Sequence, residues 1–260
     1  MKESKSHTGQ KHPSEQNSGK EQTVIRIEGL IKHFGDNHVL NGFNMELYDG
    51  ENLVIMGKSG SGKSVMIKCV MGLMQPDEGI IEIMDRDVLS MEQQELDQLR
   101  KEIGFLFQGS ALYDSMTVRE NLEFPLRKQD MQQSEKDDLV LDALDSVGLK
   151  HALELMPSEL SGGMKRRIAL ARAIILHPKI IIYDEPTTGL DPITAKEIIQ
   201  LMRNIQKKHG SAALIITHDV DCSRVIADRM ILLIDGVNYA EGSFSDLIAS
   251  KDEKIRAFFK

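Results

Sequence analysis

Short apolar runs alternate with longer, helix-like runs along most of this chain, beginning near Thr23. Runs rich in Val, Ile, Leu and Met are typical of buried strands, whereas apolar positions three and four residues apart are typical of helices. The strands predicted in this way span residues 24–31, 44–48, 53–57, 79–84, 179–184, 213–218 and 230–235. Residues 64–73 and the stretches between the later strands are predicted to be helical. This order predicts an α/β fold with a mainly parallel sheet and helices on both sides of it.

The middle of the chain, about residues 115–176, interrupts the alternation because its pattern is mostly helical. Two segments in it have the spacing of a capping box, which predicts a helix N-terminus at each. They are Thr117-x-x-Glu120 and Ser134-x-x-Asp137. Gly148 is expected to end the second helix. The pattern therefore predicts an all-helical insertion within the α/β fold.

Composition and charge narrow the possible classes of function. The formal net charge of −8 disfavours a nucleic-acid-binding protein, because phosphate backbones favour basic surfaces. Only two cysteines occur, Cys69 and Cys222, and they form no metal-binding pattern, which suggests a reducing compartment. The chain has no uninterrupted apolar run of membrane-spanning length and no apolar signal-peptide core. Residues 1–22 are polar and are predicted to be a disordered tail.

The segment GKSGSGKS, residues 57–64, fits the phosphate-binding loop G-x-x-x-x-G-K-[ST]. It lies between a predicted strand and a predicted helix, which is the context that this motif requires. Its glycines let backbone N–H groups approach phosphates, Lys63 is expected to reach the β- and γ-phosphates, and the Ser64 hydroxyl is expected to bind Mg²⁺. A flexible Gly/Ser loop is the alternative interpretation. The predicted nucleotide contacts are Gly57, Lys58, Ser59, Gly60, Ser61, Gly62, Lys63, Ser64 and Val65.

Two carboxylates follow the apolar run that ends in Tyr183. In open α/β sheets, ligands bind beyond the carboxyl ends of the strands, so Asp184 is placed to hold Mg²⁺ opposite Ser64. Glu185 follows immediately, and it is expected to polarise the attacking water. Two solvated acids at a strand end are the alternative, which the phosphate-binding loop makes less attractive.

A second anion site is predicted at LSGGM, residues 160–164. Ser161 is a favourable N-cap for the helix that follows, and Gly162 and Gly163 would let a phosphate approach the N–H groups of the first turn. An ordinary helix start with glycines for packing is the alternative. The next residues, Lys165 to Arg167, either face nucleotide or a partner, or form a solvated first turn.

The motifs together resemble the ATPases of the ATP-binding-cassette (ABC) family. GKSGSGKS, Gln108, LSGGM, IIIYDEP, GLD and His218 occur in that family's order and spacing, over about residues 24–245. The resemblance implies that Gln108 joins the Mg²⁺ site to the partner-facing helices, that His218 contacts the γ-phosphate and that Asp191 works at a dimer interface. It also implies that Phe34 stacks on adenine. Phe34 as a core side chain and His218 as an ordinary strand-end histidine remain open.

The family resemblance also implies an architecture and a domain division. The expected fold is that of a P-loop NTPase of the ABC ATPase type, with a mainly parallel sheet core, an antiparallel β subdomain and a helical subdomain. The ATPase domain is expected at residues 23–250, with its helical subdomain at about 110–176, and a short segment at 251–260. ATP is expected to be clamped between the phosphate-binding loop of one subunit and the LSGGM segment of another. Two complete sites therefore require two chains, most simply a homodimer.

One departure from the family pattern points to a branch. Met164 stands where the family usually has Gln, and a thioether cannot make the hydrogen bonds of an amide, so packing within the helix is its expected role. The segments 106–118, 156–174 and 189–194 resemble the ATPases of the mammalian-cell-entry (MCE) or maintenance-of-lipid-asymmetry transporters.

That branch implies a motor for transport of phospholipids or other hydrophobic molecules. Its partners would be an integral-membrane permease, an MCE-domain protein and accessory subunits, with no nucleic acid, at the cytoplasmic side of the inner membrane. Four side chains after Gln108 are candidates for a groove that holds a permease helix, or else for core packing: Leu112, Tyr113, Met116 and Phe124. The competing functions are an importer or exporter of another solute, a non-transport ABC ATPase and an ATP-binding protein without turnover.

Overall fold

A computed structural model describes residues 22–259, so nearly all of the predicted N-terminal tail lies outside the described residues. The strands are β1 (Thr23–Phe34), β2 (Asn37–Tyr48), β3 (Asn52–Met56), β4 (Glu78–Ile83), β5 (Arg86–Asp87), β6 (Ile103–Leu106), β7 (Ile180–Asp184), β8 (Ala212–Thr217), β9 (Arg229–Ile234) and β10 (Val237–Gly242). The α-helices are α1 (Lys63–Val70), α2 (Gln93–Lys101), α3 (Val118–Glu123), α4 (Gln133–Ser146), α5 (Gly162–Ile174), α6 (Pro192–His209), α7 (Val220–Ile226), α8 (Phe244–Ile248) and α9 (Glu253–Arg256). Three short 3₁₀ segments lie at Phe124–Lys128, Lys150–Ala152 and Pro157–Glu159.

The central sheet has six strands in the order β10-β9-β3-β8-β7-β6. All its neighbouring pairs are parallel except β10 with β9, which confirms the predicted mainly parallel core. Met56 of β3 is level with Thr217 of β8, and Asp184 of β7 is level with Ile216. This register brings the carboxyl ends of β3, β7 and β8 to one edge of the sheet. The residues predicted to bind nucleotide and Mg²⁺ follow these strand ends.

Four strands in the order β2-β1-β4-β5 form a separate antiparallel sheet. Only Gly35 and Asp36 separate β1 from β2, so the two strands pair as a hairpin with no crossover helix between them. One face of the central sheet, with Leu53 and Ile55 of β3, shares a core with this antiparallel sheet and α1. Because α1 and α2 both contribute buried side chains to this core, helices lie on both sides of the central sheet as predicted, here together with the antiparallel sheet.

Helices cover the other face of the central sheet. Val54 of β3 and Ile215 of β8 share a core with buried side chains of α5, α6 and α7, including Ile168, Ile198 and Cys222. Successive strand residues point to opposite faces, which is why Val54 and Ile55 belong to different cores. The strands are thus buried on both faces and read as continuous apolar runs.

The helical insertion is present, although one of its predicted starts is wrong. Thr117 caps α3 as predicted, accepting from the N–H of Glu120 while the Glu120 carboxylate accepts from the Thr117 N–H. Helix α4 instead begins after Gln132, because Glu135 folds back to accept from the Gln132 N–H at 2.7 Å. Ser134 therefore lies inside the first turn. Gly148, with φ +71°, follows the end of α4 as predicted.

Among residues 22–259, no helix is both long and apolar enough to cross a membrane.

Candidate functional site

The phosphate-binding loop connects β3 to α1 at the carboxyl edge of the central sheet. Gly62 has φ +101°, and a Cβ atom there would lie 2.9 Å from the carbonyl oxygen of Val39. A Cβ atom on Gly57 would lie 2.5 Å from Ser61 Oγ and 3.0 Å from the carbonyl oxygen of Leu233. These two positions therefore require glycine, for conformation at Gly62 and for space at both.

Lys63 is the first residue of α1, and it is only 7% exposed. Its ammonium group donates to the carbonyl oxygens of Gly57 at 2.6 Å and Lys58 at 3.0 Å. Burial lowers the pKa of Lys63, while the charges of Glu185 and Asp184 act in the opposite direction. A buried ammonium held by two neutral carbonyls is a favourable place for a phosphate anion, which would compensate its charge.

Most of the predicted site residues line one open cavity of about 630 Å³. Those in its lining are Gly57, Lys58, Ser59, Gly60, Gly62, Lys63, Ser64, Val65, Gln108, Asp184, Glu185 and His218. Ser61 lies in the same loop but lines a neighbouring cavity, and its buried Oγ has no hydrogen-bond partner. Positively charged, negatively charged and neutral polar side chains from separate segments of the chain therefore line one cavity at the carboxyl edge of the sheet.

Glu185 is held by several hydrogen-bonding groups at the end of β7. Its backbone has φ +50°, and its N–H donates to the carbonyl oxygen of Ile216 at 2.8 Å. The Oε2 atom accepts from Thr188 Oγ1 at 3.1 Å and lies 2.8 Å from Nδ1 of His218. The side chain of Glu185 is nearly buried, whereas that of His218 is largely exposed. The carboxylate is therefore held in position in the lining of the cavity.

Asp184 differs from Glu185 because few groups compensate its charge. Burial raises the pKa of Asp184, the neighbouring carboxylate of Glu185 raises it further, and Lys63 acts in the opposite direction. A cation next to Asp184 would lower the free energy of its ionised form.

The oxygen donors in the cavity suit Mg²⁺. Ser64, Gln108 and Asp184 offer a hydroxyl, an amide and a carboxylate to the same space. Within residues 22–259, no group of three His, Cys, Asp or Glu side chains could hold a metal ion alone. This donor set fits Mg²⁺, which is usually held by one or two carboxylates together with substrate phosphates and waters.

The LSGGM segment lies apart from this cavity, because none of its residues is in the lining. Ser161 caps α5 by accepting from the N–H of Met164 at 3.2 Å. The Gly162 position is open, whereas a Cβ atom on Gly163 would lie 2.8 Å from Cγ2 of Thr194. Met164 is partly buried against the core, as its packing interpretation predicted.

Asp191 lies next to the LSGGM segment. It caps α6, accepting from the N–H groups of Ile193 and Thr194 and from Thr194 Oγ1 at 2.6 Å. These hydrogen bonds, first that from the Thr194 hydroxyl, lower the pKa of Asp191. Thr194 contacts the Gly163 position, so the Asp191 cap and the start of α5 form one exposed surface. Within one chain, this surface and the phosphate-binding loop are separate.

Residues 165–167 were expected either to face nucleotide or a partner, or to form a solvated first turn. Both interpretations are wrong for Arg166, which is 3% exposed. Its guanidinium donates to the carbonyl oxygens of Phe107 at 3.0 Å and Thr188 at 3.1 Å. Arg167 is instead paired with Glu197 near the surface. Arg166 therefore joins α5 to the loop that carries Gln108 and to the turn that carries Thr188. The sequence carries no signal for this burial, because Lys165, Arg166 and Arg167 each lie four residues before a buried position.

Arg172 is another arginine of α5 that the sequence analysis did not single out, and it is partly buried. It donates to the carbonyl oxygens of Ala111 at 2.8 Å and Ser110 at 3.3 Å, just after Gln108. Ser110 and Ala111 both have positive φ, so the loop needs these hydrogen bonds to keep its conformation.

Phe34 is not in the lining of the site cavity or of its neighbour. The residue is 48% exposed, and Nζ of Lys32 lies 5.6 Å from the centroid of its ring. A core position is therefore wrong for Phe34, and stacking on adenine stays a prediction. Three residues in the site lining were missed by the sequence analysis, Val39, Ala257 and Phe258.

Comparison with known proteins finds one matching protein family and several relatives of similar sequence. The family model described as "ABC transporter" matches residues 40–188. The intermembrane phospholipid transport system ATP-binding protein MlaF of Haemophilus influenzae is 36% identical over 240 residues, covering 92% of this chain and 91% of MlaF. The methionine import ATP-binding protein MetN of Campylobacter jejuni is 36% identical over 252 residues, covering 90% of this chain and 75% of MetN.

Two solved structures have the same fold. The structure of cbiO1 from Clostridium perfringens, described as part of the ABC transporter complex cbiONQ, has a TM-score of 0.82 at 30% identity, covering 91% of this chain and 94% of cbiO1. The dimeric post-hydrolysis structure of the ATP-binding cassette MJ0796, bound to ADP and Pi, has a TM-score of 0.76 at 32% identity. It covers 85% of this chain and 98% of MJ0796.

Proposed function

This chain belongs to the ATP-binding subunits of the ABC transporter family, and we propose that the transporter it drives moves phospholipids between membranes. The chain is an ATPase that acts as a transporter motor. The observation that carries the lipid proposal is the LSGGM segment with its surroundings, which resembles MCE-type ATPases, together with the similarity to MlaF. The similarity to MetN is equal in identity, so import of methionine or another small solute is the second candidate.

The proposed chemistry is in-line attack of water on the γ-phosphate of ATP. Lys63 and the loop N–H groups would hold the phosphates, and Ser64, Gln108 and Asp184 would hold Mg²⁺, which neutralises charge on the phosphates. Glu185 would orient the attacking water, and His218 would contact the γ-phosphate. The fixed position of the Glu185 carboxylate supports this role, because catalysis of this reaction depends mainly on positioning and electrostatics.

The proposed active unit contains two chains. ABC ATPase cassettes work as dimers with membrane permease partners, and MJ0796 is dimeric in its ADP-bound structure. The separation of Ser161, Gly162, Gly163 and Asp191 from the phosphate-binding loop supports a site completed by the second chain. Binding of ATP would then close the dimer, and hydrolysis would open it.

A groove of about 730 Å³ is proposed to receive a permease helix. Of the four candidates, Tyr113 and Phe124 are in its lining, with ring centroids 4.5 Å apart, whereas Leu112 and Met116 are not. Phe107, next to Gln108, is exposed in the same groove. An exposed aromatic groove beside Gln108 supports coupling between a membrane subunit and the nucleotide site. The MCE-domain partner, the accessory subunits and the place at the cytoplasmic side of the inner membrane belong to the same proposal.

The decisive experiment isolates the transporter from solubilised membranes through this chain and reconstitutes it in proteoliposomes. We expect a multi-spanning permease and an MCE-domain protein to copurify, and ATP to drive transfer of a fluorescent phospholipid to acceptor vesicles. The same preparation carrying Glu185→Gln is the matched control, and it should transfer no lipid. ATP-driven methionine uptake without lipid transfer would overturn the lipid proposal while leaving the ATPase function intact.

A further inference from the structure

The phosphate-binding loop lines two neighbouring cavities. One is the site cavity, and the second has a volume of about 820 Å³. Both cavities share Val39, the loop residues from Lys58 to Gly60, and Ala257 and Phe258 from the segment after α9. This last segment is remote in sequence from every motif of the family, yet it forms a wall of the space where the phosphates would bind.

The segment is anchored before Phe258. Asp252 caps α9 and accepts from the Tyr239 hydroxyl at 2.9 Å. Nζ of Lys254 lies 3.1 Å from a carboxylate oxygen of Asp235 and 5.2 Å from the centroid of the Tyr239 ring. Ile255 is buried in the helix-covered core. These contacts connect α9 to β10 and to the turn between β9 and β10.

The segment is also anchored after Phe258. The ring of Phe259 meets that of Phe244 edge to face, with centroids 5.5 Å apart, and both pack against the core. Phe259 is in the lining of neither cavity. Phe258 is also partly buried against this core, but the two adjacent phenylalanines differ in their other contacts, since Phe259 packs on Phe244 of α8 and Phe258 lines both cavities beside the phosphate-binding loop. A side chain anchored on both sides is positioned before any ligand arrives.

Phe258 is the one Phe, Tyr or Trp in the linings of the two cavities, as far as residues 22–259 go. The ring predicted to stack on the base, Phe34, lies in neither. Purine rings pack well on aromatic side chains, and such packing tolerates different bases because every base has a π-face. Val39, which lines both cavities as well, adds an apolar contact for the same ligand.

We propose that Phe258 is a nucleotide-binding residue, whose ring packs against the nucleoside half of ATP while the loop and Lys63 hold its phosphates. This inference rests on the proposed binding of ATP at the phosphate-binding loop, and it adds a contact from outside the family's motifs. The segment after α9 is then part of the nucleotide site of its own chain.

The chain contains no tryptophan, which gives a direct test. Phe258→Trp introduces a single reporter, and Phe259→Trp is the matched control one residue away. In the full-length protein, we expect MgATP and MgADP to change the fluorescence of the Phe258→Trp variant saturably, whereas inorganic tripolyphosphate and the Phe259→Trp control give little change. An equal response of both variants, or no response of either at saturating ATP, overturns the proposal.

Affinity gives the second test. Isothermal titration should show that Phe258→Ala weakens MgATP about 5- to 20-fold, from the usual strength of base–aromatic packing, and leaves tripolyphosphate binding unchanged. Phe258→Tyr should restore the affinity, and Phe259→Ala should not lower it. Unchanged or tighter ATP binding by Phe258→Ala contradicts the proposal. If the wild-type chain failed to bind ATP, the proposed function itself would fail, which is a separate outcome.

Discussion

Glu185 and His218 contact each other directly, with Nδ1 and Oε2 2.8 Å apart. Both groups face the cavity where the γ-phosphate would lie. The contact holds the carboxylate in one orientation, and Thr188 holds the same oxygen from another direction. One Glu185 oxygen is therefore used for positioning, which leaves the other for a water molecule.

The first prediction concerns this carboxylate. Glu185→Gln keeps the size and one oxygen of the side chain but removes its charge and its capacity to accept a proton. We expect steady-state phosphate release to fall about 10²- to 10⁴-fold, the usual contribution of a positioned acid or base. Affinity for MgATP, measured by isothermal titration, should stay within about threefold of the wild type because no phosphate contact is lost.

A matched variant, Glu197→Gln, removes an exposed carboxylate that pairs with Arg167. Its turnover should match the wild type. Normal hydrolysis by Glu185→Gln would contradict the role given to Glu185.

The second prediction uses the raised pKa of Asp184. An acid whose pKa is higher in the folded than in the unfolded state destabilises the folded protein when ionised. This cost is fully present above the folded-state pKa and disappears as the pH falls below the ordinary value of 3.8. Without nucleotide or Mg²⁺, Asp184→Asn should therefore unfold at higher denaturant concentration than the wild type at about pH 7.5, and the difference should shrink as the pH is lowered.

Asp49→Asn, at an exposed position, serves as the control and should show no such trend. MgATP should reverse the order at neutral pH, because only the wild type has the carboxylate proposed to bind the metal. A difference in stability that grows at low pH would contradict the assignment.

At the scale of the element, prediction from sequence succeeded where burial was complete. All five residues of β3 and all six of β8 are buried, so their apolar runs were unambiguous. Strand β6 was missed because it has only four residues, one of them Gly104. Glycine is required at position 104 because a Cβ atom there would overlap the carbonyl oxygen of Ala173. The pattern of apolar and polar residues along the sequence cannot predict such a tertiary contact.

The start of α5 shows another limit of sequence patterns. Lys165, Arg166 and Arg167 are consecutive basic residues, and nothing in the sequence distinguishes the buried one from the other two. Tertiary contacts decide which of them is buried. Arg166 points inward, where the backbone carbonyls of Phe107 and Thr188 accept from its guanidinium. Helix α5 thereby connects the Gln108 loop with the turn after Glu185.

The third prediction tests this connection. Arg166→Ala leaves two inward-facing carbonyls without their charged donor, so the free energy of unfolding should fall by about 2–4 kcal/mol. Arg167→Ala removes an exposed ion pair and should cost less than about 1 kcal/mol. Chemical denaturation of both variants measures the difference. A cost below about 1 kcal/mol for Arg166→Ala would show that the two carbonyls find other donors.

Function gives a further readout for the same residue. Arg166→Lys keeps the charge but lacks the planar guanidinium, which donates to two carbonyl oxygens at once. We therefore expect lower turnover with near-normal ATP affinity. Normal turnover in Arg166→Lys would mean that the guanidinium only stabilises the fold.

At the scale of the whole molecule, the fold class and its mainly parallel core followed from the order of strands and motifs. The division of the site between two chains was implied only by the family resemblance, since the residue pattern places Ser161 and Lys63 in one protein without indicating whether they meet. The structure separates them, with Ser161 on the exposed start of α5 and Lys63 beneath the loop. The domain boundaries at 23–250 and the helical subdomain at about 110–176 remain proposals.

The last prediction follows from this separation. If each site combines the phosphate-binding loop of one chain with Ser161 of the other, Lys63→Ala and Ser161→Ala homodimers both lack complete sites. A mixed dimer contains one complete site, formed by Lys63 of the second variant and Ser161 of the first. With random exchange, half of the dimers are mixed, and we expect about a quarter of wild-type activity.

Mixing the two inactive proteins, with dimers dissociated and reassociated before phosphate release is measured, tests this directly. Mixing Lys63→Ala with Glu185→Gln is the matched control. Both changes lie in the same half-site, so the mixed dimer has one site defective at Lys63 and one at Glu185, and no activity should return. Recovery in the first mixture alone requires that the two halves of a site come from different chains. Equal inactivity of both mixtures would instead require a site completed within one chain, by a movement that brings Ser161 to its own phosphate-binding loop.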